Sequence, residues 1–382
     1  MIKIATISST RADFGLLKNL IKKLNKNNFK TRLIATGTHF SKQYGYTYRD
    51  ILNNKIKIDK KINKKIDTSN SIGISKIMSA HIFESSKIFE KLKPDLIILL
   101  GDRYEILASA IAAHICCIPI AHIHGGELTN GLIDDAFRHS ITKLSQIHFV
   151  ANKIYKKRVI QLGENPKKVF DVGGMGVDSI KATSTFSKAE LEKILNIKFS
   201  EKNLLINFHP ETLNKNSAKI QTQELLSALK NLKKTSLFFT MPGAENENLD
   251  IIKQIKKFVK KNDDSYFFKS LGHKKYFSFL KVVDGMIGNS SSGLLEMPSF
   301  RKATINLGNR QSGRIKSKSV LDTKIKKKNI IFSIKKIYSK KFINKIKNCK
   351  NPYGDGGSSN KIVKVLKKIK IKNLVNKKFY DI

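Results

Sequence analysis

The sequence predicts an α/β protein made of two doubly wound domains with parallel sheets. Three observations predict it. Short apolar runs rich in Ile, Leu, Val and Phe alternate with longer amphipathic segments, the pattern of successive strand–helix units. That alternation breaks once, around Gly173-Gly174-Met175-Gly176, and then restarts. Clusters of Ser, Arg, Asp, His and Asn stand directly after the apolar runs, where open parallel sheets place ligands. A chain of 382 residues, 40% of them apolar, has the length and material for two cores.

In the first half, strands are expected at 2–7, 31–35, 96–100, 118–122 and 147–150. Helical patterns lie between them at 16–24, 74–92 and 136–143. After the break, strands are expected at 204–208, 237–240, 266–268, 286–287 and 303–307. The domains are therefore set at 1–175 and 176–360, followed by a segment 361–382 whose helix, about 361–372, can pack back on the first domain. The run Met1–Ile7 is too short for a signal peptide and reads as a strand. Residues 106–126 carry no Asp, Glu, Lys or Arg and approach the length of a membrane span. Three histidines and Pro119 interrupt them, so they read as a buried helix followed by a buried strand. A cytoplasmic protein that does not cross a membrane is expected.

The formal net charge of +43 points at first to nucleic acid or an anionic surface. Only nine of the 73 basic residues are arginine, and the lysines are spread through stretches that are also rich in Ile and Asn. That pattern fits a coding bias that puts solvated lysines on outer faces. No nucleic-acid module and no interleaved aromatic platform accompanies it, so no nucleic-acid partner is expected. The three cysteines, two of them adjacent, imply no disulfide framework and fit a reducing compartment.

The first strand runs into Ser8-Ser9-Thr10-Arg11-Ala12-Asp13-Phe14-Gly15, which is not the glycine turn of dinucleotide binders. Hydroxyls and an arginine at a helix start suit a phosphate oxygen; the plainer reading is a helix cap with Arg11 in solvent. After the third strand comes Gly101-Asp102-Arg103-Tyr104-Glu105. Asp102 can act as acid or base and Arg103 can grip a diphosphate, or the two can be a surface ion pair.

The fourth strand opens into His122-Ile123-His124-Gly125-Gly126-Glu127 and then Asp134-Asp135-Ala136-Phe137-Arg138-His139. Alternation would send His122 and His124 to one side of an extended chain, which is compatible with metal ligands. The cluster is one loop wide and lacks a zinc-type helix or cysteine ligand, so acid/base work is favoured over metal. Asp134 and Asp135 also fit the acidic first turn of a helix.

In the second domain a strand ends in His209-Pro210-Glu211-Thr212. Further on, Gly288-Asn289-Ser290-Ser291-Ser292-Gly293 followed by Leu294-Leu295-Glu296 reads as strand, hydroxyl turn and helix. Such a turn makes either a phosphate cradle or an ordinary N-cap, with Glu296 one turn into the helix. Asn309-Arg310-Gln311-Ser312-Gly313-Arg314 follows the next strand. Five of the nine arginines (Arg11, Arg103, Arg138, Arg310, Arg314) thus fall in strand-end clusters, where fork geometry matters.

Taken together and in this order, these motifs resemble those of the hydrolysing UDP-N-acetylglucosamine 2-epimerases, from residue 1 to about 315. The resemblance implies the glycosyltransferase-B architecture, with two Rossmann-like domains facing a central cleft, and neither metal nor any other cofactor. It implies deprotonation at C2, anti elimination of UDP, and addition of water to the resulting 2-acetamidoglucal. It places Arg11, Gly15, Arg103, Thr240, Leu271, Ser290, Ser291, Glu296 and Arg310 at UDP, with the segment around Leu271 holding uracil. Asp102, His124, Glu127, Asp134 and His209 fall at the acid/base positions. The non-hydrolysing branch has Glu in the place of His124 and a Glu pair in the place of Asp134-Asp135, so these residues side with the hydrolysing branch.

The expected reaction yields N-acetylmannosamine and UDP from UDP-N-acetylglucosamine. The alternatives are UDP-2,4-diacetamido-2,4,6-trideoxyglucose as substrate, or a sugar transferase of the same architecture. A homodimer or higher homo-oligomer is the expected assembly.

Overall fold

A computed structural model describes residues 1–42, 44–64, 70–129, 133–209, 218–242, 248–371 and 374–382. The chain divides into two compact units. The first comprises Met1–Glu127, Asp134–Ala182 and Tyr353–Ile382, and the second comprises Leu128–Ile133 and Thr183–Pro352.

The first unit begins with β1 (Lys3–Ser8), α1 (Arg11–Lys26), β2 (Lys30–Ala35), α2 (Tyr48–Asn53), β3 (Lys60–Lys61) and α3 (Ser71–Leu92). It continues with β4 (Leu96–Leu100), α4 (Tyr104–Ile115), β5 (Ile120–Ile123), α5 (Asp134–Leu144), β6 (Ile147–Val150) and α6 (Lys153–Gln161). Strand β7 (Val169–Asp171) and helix α7 (Met175–Lys181) follow. The seven strands form one parallel sheet in the order β3-β2-β1-β4-β5-β6-β7. All five residues of β4 and all four of β5 are buried, as expected of central strands covered by helices on both faces.

The second unit runs α8 (Lys188–Leu195), β8 (Lys202–Asn207), α9 (Ala218–Leu229), β9 (Thr235–Thr240), α10 (Asn248–Val259), β10 (Ser265–Phe268) and α11 (Gly272–Val282). Then come β11 (Gly285–Gly288), α12 (Ser292–Leu295), β12 (Ala303–Leu307), β13 (Val320–Thr323), α13 (Lys327–Ile337) and α14 (Lys340–Ile346). Its six parallel strands take the order β10-β9-β8-β11-β12-β13. Leu204, Ile206, Phe239, Ile287 and Ile305 form the centre of its core, under Leu225, Ile251 and Ile330 from the helices.

Both units are thus doubly wound, as the alternation predicts. The strands with strong apolar runs lie within two residues of their expected bounds. Three strands had no expected counterpart: β3 is only Lys60-Lys61, β7 only Val-Phe-Asp, and β13 sits among lysines. The first unit extends past 175 to Ala182, because α7 packs against α1. After the second unit the chain returns at Tyr353, and α15 (Ser358–Lys368) packs on α1. Ile362, Val363 and Leu366 of α15 share a core cluster with Leu17, Leu20 and Leu24 of α1. Two polar ties secure that return within the first unit. Tyr155 and Tyr353 meet hydroxyl to hydroxyl at 2.9 Å, and Asp178 accepts from the Gly357 and Ser359 amides.

Among the described residues no helix is long and apolar enough to cross a membrane.

Candidate active site

Each sheet has one place where the strand order reverses direction, and there the strand ends leave an open crevice. In the first sheet it lies between β1 and β4, and in the second between β8 and β11. The Ser9–Gly15 and Gly101–Glu105 clusters follow β1 and β4; His209 and the Asn289–Gly293 turn follow β8 and β11. These four motifs therefore sit at the switch points, while the His122–Glu127 cluster runs out of β5 and Asn309–Arg314 follows β12.

At the first switch point, Thr10 caps α1 and Asp13 closes a capping box. The Asp13 carboxylate accepts from the Ser9 amide at 2.8 Å, the Thr10 amide at 2.9 Å and the Ser8 hydroxyl at 2.8 Å. Ser8 Oγ also lies 2.9 Å from Nε2 of buried His39, whose Nδ1 meets Thr47. This network fixes the turn that presents Arg11, the first residue of α1. Gly15 lies inside α1, buried, with its carbonyl accepting from Ser179 Oγ at 3.1 Å.

The Gly101–Glu105 turn is set by its neighbours. Gly101 takes φ +83°, a conformation open to glycine. Its carbonyl accepts from His122 Nε2 at 2.8 Å. His122 lies inside β5, fully buried, and burial holds its imidazole down at about 3. It is a neutral prop for the turn rather than a ligand or a shuttle.

Asp102 and Arg103, adjacent in sequence, do not pair with one another. Arg103 Nε donates to Glu105 Oε2 at 3.1 Å, and its guanidinium is partly exposed. Asp102, 23% exposed, pairs with Arg138 Nη2 of α5. Arg138 is 1% exposed and also donates to the Glu127 carbonyl at 2.8 Å, with Asp135 Oδ1 at 3.4 Å. One buried guanidinium thereby gathers Asp102, Asp135 and the Glu127 backbone. Its importance was only half visible in the sequence, where Arg138 counted as one clustered arginine among five.

His124 corrects an expectation. It lies past the end of β5 with φ +70°, so strand alternation does not govern it and it does not share a face with His122. The Met175 amide donates to His124 Nε2 at 3.2 Å. That places the ring proton on Nδ1, which lies 2.8 Å from Glu127 Oε1. A non-glycine residue held in the left-handed region by two ring contacts marks a place where geometry is imposed. Asp134 and Asp135 occupy the first turn of α5, so the helix-start reading of that pair holds. His139 Nε2 stands 3.6 Å from Asp135 Oδ2, and burial lowers its imidazole against the pull of that carboxylate. No group of three or more His, Cys, Asp or Glu able to hold a metal ion occurs among the described residues.

At the second switch point, Asn289 is the organiser. Its side chain accepts from the His209 amide at 2.7 Å and donates to the His209 carbonyl at 2.8 Å. Its own carbonyl accepts from Gln311 Nε2 at 2.8 Å and Arg310 Nη1 at 3.2 Å. His209 Nε2 donates to Asn207 Oδ1 at 2.8 Å, which leaves Nδ1 as the ring's remaining acceptor. Tyr276 donates to Ser292 Oγ at 2.6 Å and accepts from Asn207 Nδ2 at 3.3 Å. Neither Asn207 nor Tyr276 was singled out from sequence: Asn207 is a lone polar residue in an apolar run, and Tyr276 follows a pair of lysines in a helical pattern. Gly288 is required at its position: φ is +146°, and a Cβ there would fall on the Asn207 carbonyl.

The hydroxyl turn differs from its expected form. Helix α12 is only four residues long, with Ser291 before its start and Ser290 Oγ accepting from the Ser292 amide at 3.4 Å. Glu296 is not one turn inside a helix; it ends α12 and precedes a 3-10 turn over Met297–Phe300. Pro298 accounts for this, since it has no N–H to donate to the Leu294 carbonyl and so cannot continue the α-helical ladder. Thr240 ends β9 with its hydroxyl 3.4 Å from the Ile206 carbonyl, and Leu271 is buried just before α11. The Pro210-Glu211-Thr212 motif lies outside the described residues.

Comparison with known proteins adds the following. The family described as UDP-N-acetylglucosamine 2-epimerase matches residues 22–367. A GDP/UDP-N,N'-diacetylbacillosamine 2-epimerase (hydrolyzing) from Campylobacter jejuni is 41% identical, covering 100% of this chain and 99% of its own. Polysialic acid biosynthesis protein P7 of Escherichia coli is 37% identical over 100% of this chain and 98% of its own. A UDP-N-acetylglucosamine 2-epimerase of Neisseria meningitidis is 30% identical, covering 89% of this chain and 88% of its own. Among solved structures, UDP-GlcNAc 2-epimerase from Neisseria meningitidis bound to UDP-GlcNAc superposes with a TM-score of 0.84. It covers 96% of this chain and 100% of its own at 22% identity, a likeness of fold.

Proposed function

This chain belongs to the UDP-N-acetylglucosamine 2-epimerase family, and on that premise we propose that it is a hydrolysing 2-epimerase whose substrate is UDP-linked N,N'-diacetylbacillosamine, that is, 2,4-diacetamido-2,4,6-trideoxyglucose. The observation that carries the chemistry is the Asp102–Arg138–Asp135 arrangement at the first switch point. It gathers carboxylates around one buried guanidinium, with Glu127 and His124 joined beside them. A cluster of this kind suits removal and return of a proton on carbon.

The reaction is written without metal or cofactor. A carboxylate of the Asp102, Glu127 and Asp134 set takes the C2 proton. The C1–O bond breaks, its electron pair leaves with UDP, and C1 and C2 become doubly bonded. Water then adds hydroxyl at C1 while a proton reaches C2 from the opposite face, giving the free manno-configured sugar and UDP. His209, tied through Nε2 to Asn207, serves the acid/base steps. His124, with both ring nitrogens engaged, serves by orienting Glu127. Arg11, Gly15, Arg103, Thr240, Leu271, Ser290, Ser291, Glu296 and Arg310 are assigned to UDP. Guanidinium forks suit its diphosphate, and the Asn289 clamp holds Arg310 toward the hydroxyl turn.

The choice of sugar is supported by the Campylobacter relative and by a Legionella pneumophila UDP-N,N'-diacetylbacillosamine 2-epimerase that is 32% identical over 96% of both chains. The second reading is UDP-N-acetylglucosamine, which the Neisseria relative and the family description favour. The test is to incubate the chain with each UDP-sugar, and with the GDP-linked form, in deuterated water and follow the products by NMR. The expected result is free manno sugar carrying deuterium at C2, with kcat/KM highest for the diacetamido substrate. Higher kcat/KM for UDP-N-acetylglucosamine replaces the substrate; a glycoside formed on an acceptor, or sugar unlabelled at C2, sinks the reaction.

A further inference from the structure

A second ionic cluster lies far along α5 from Asp134, inside the first unit. Glu164, 1% exposed, accepts from His148 Nε2 at 2.9 Å and pairs with Lys143 Nζ at 2.9 Å. Into this pocket comes Lys377, from the segment that follows α15. Its ammonium donates to Glu164 Oε1 at 2.9 Å and Oε2 at 3.0 Å, to the Ser145 carbonyl at 2.9 Å, and to the Lys143 carbonyl. The neighbouring residues hold the same segment down. The Tyr380 amide donates to the Gly163 carbonyl at 3.0 Å, and the Lys143 ammonium stands 4.8 Å from the centre of the Phe379 ring.

The Lys143 carbonyl belongs to the last turn of α5 and the Ser145 carbonyl stands just after it, where the final carbonyls have no partner within the helix. A cation there both satisfies them and complements the negative end of the helix dipole. Lys377 does both, and it is tethered in turn to a carboxylate with almost no access to water. The other end of α5 carries Asp134, Asp135 and Arg138. That end is roughly 16 Å away along the axis, so Lys377 does not reach it directly. A helix transmits an axial shift along its whole length, however. Arg138 has no slack, since it holds Asp102, Asp135 and the Glu127 carbonyl at once.

We infer that Lys377 is a positioning residue for the reaction: by anchoring the final carbonyls of α5 to Glu164, it sets the axial position of the helix that presents Asp134, Asp135 and Arg138. The inference rests on the assignment of those residues under the proposed function. It assigns a role in turnover to a segment that lies outside the motifs.

The test uses the full chain with Lys377→Met, which keeps length and removes the donor, and Lys377→Arg, which keeps the charge. Hydrogen exchange of the α5 amides and steady-state kinetics are read together. Lys377→Met is expected to speed exchange in α5 while leaving α3 unchanged. It is expected to lower kcat about tenfold, the scale of loss that a sub-ångström misplacement of reacting groups produces, while KM stays within about twofold. Lys377→Arg should recover most of both. Should Lys377→Met fail to fold, Glu164→Gln serves in its place, with the same kcat-selective loss expected.

Unchanged α5 exchange in a folded variant overturns the inference, as does full kcat once assays are run well below its melting temperature. A wild-type chain that turns over no nucleotide sugar sinks the assigned reaction and this role with it. Accelerated α5 exchange would then show that the anchor was real and only the chemistry was wrong.

Discussion

Arg138 is almost wholly buried and holds three partners, so the charge on Asp102 matters to structure as well as to chemistry. Asp102→Asn keeps the shape and removes one of the carboxylates proposed for the proton transfers. Turnover should be lost, with UDP affinity by calorimetry within a few fold of wild type; normal turnover would contradict the assignment. The variant should also lose on the order of 1 kcal/mol of stability, because a buried guanidinium then faces a neutral partner. Arg103→Ala is expected to weaken UDP binding, since its guanidinium, set by Glu105, is partly exposed and is assigned to the diphosphate. Unchanged binding would remove it from the diphosphate site. At this scale the sequence showed which residues cluster but not which pair. Asp102 and Arg103 are neighbours in the chain yet turn to different partners, and a chain-wise reading cannot see the α5 residue that intervenes. The left-handed backbone of His124 was not legible, because nothing in the residue type announces it.

Elements report their strength through length and burial. Strand β4, all apolar, was legible residue for residue, while β5, expected at 118–122, lies at Ile120–Ile123. Strands β3, β7 and β13 were not legible, since two to four residues at a sheet margin, mixed with Lys and Asp, carry no periodicity. Helix α12 was read as longer than it is, because Leu294-Leu295-Glu296 favours helix while Pro298, two residues on, stops it. The tightest constraint on an element is Gly288, where β11 passes the Asn207 carbonyl with no room for a side chain. Gly288→Ala should separate β8 from β11 at their carboxyl ends and loosen the Asn289 clamp on His209. The expected cost is about 1–3 kcal/mol, read by urea denaturation, with UDP binding weakened in parallel. Wild-type stability in that variant would mean the close approach is not a constraint.

Across the whole molecule, the buried histidines are unevenly placed. His39, His81, His122 and His148 all belong to the first unit, and burial is the leading cause of a lowered imidazole in each. For His122 the folded value is about 3 against 6.5 when unfolded. A group depressed on folding supports the fold above its unfolded value and withdraws that support as pH falls toward its folded one. His122 therefore removes up to about 1.4 kcal/mol per pH unit between about 6.5 and about 3, and the other three act in the same direction. The first unit is expected to open before the second as pH drops from 7 to 5, which limited proteolysis with site mapping at each pH would show. Simultaneous opening of both units would refute it. The charge of +43 proved a poor guide to organisation, because lysines scattered over outer faces leave the alternation of strands and helices intact.

The late return of the chain also shapes how the protein comes into being. Leu17, Leu20 and Leu24 are made more than 330 residues before Ile362, Val363 and Leu366, which cover them. The second unit lies almost entirely within residues 183–352 and can settle while the first still has a bare apolar stripe. At elongation rates of about 5–20 residues per second that stripe stays open for roughly 17 to 70 seconds on the ribosome. Nascent-chain factors thus have a defined binding window on α1, and a block on elongation just short of Tyr353 should trap a particle with one finished body and one sticky one.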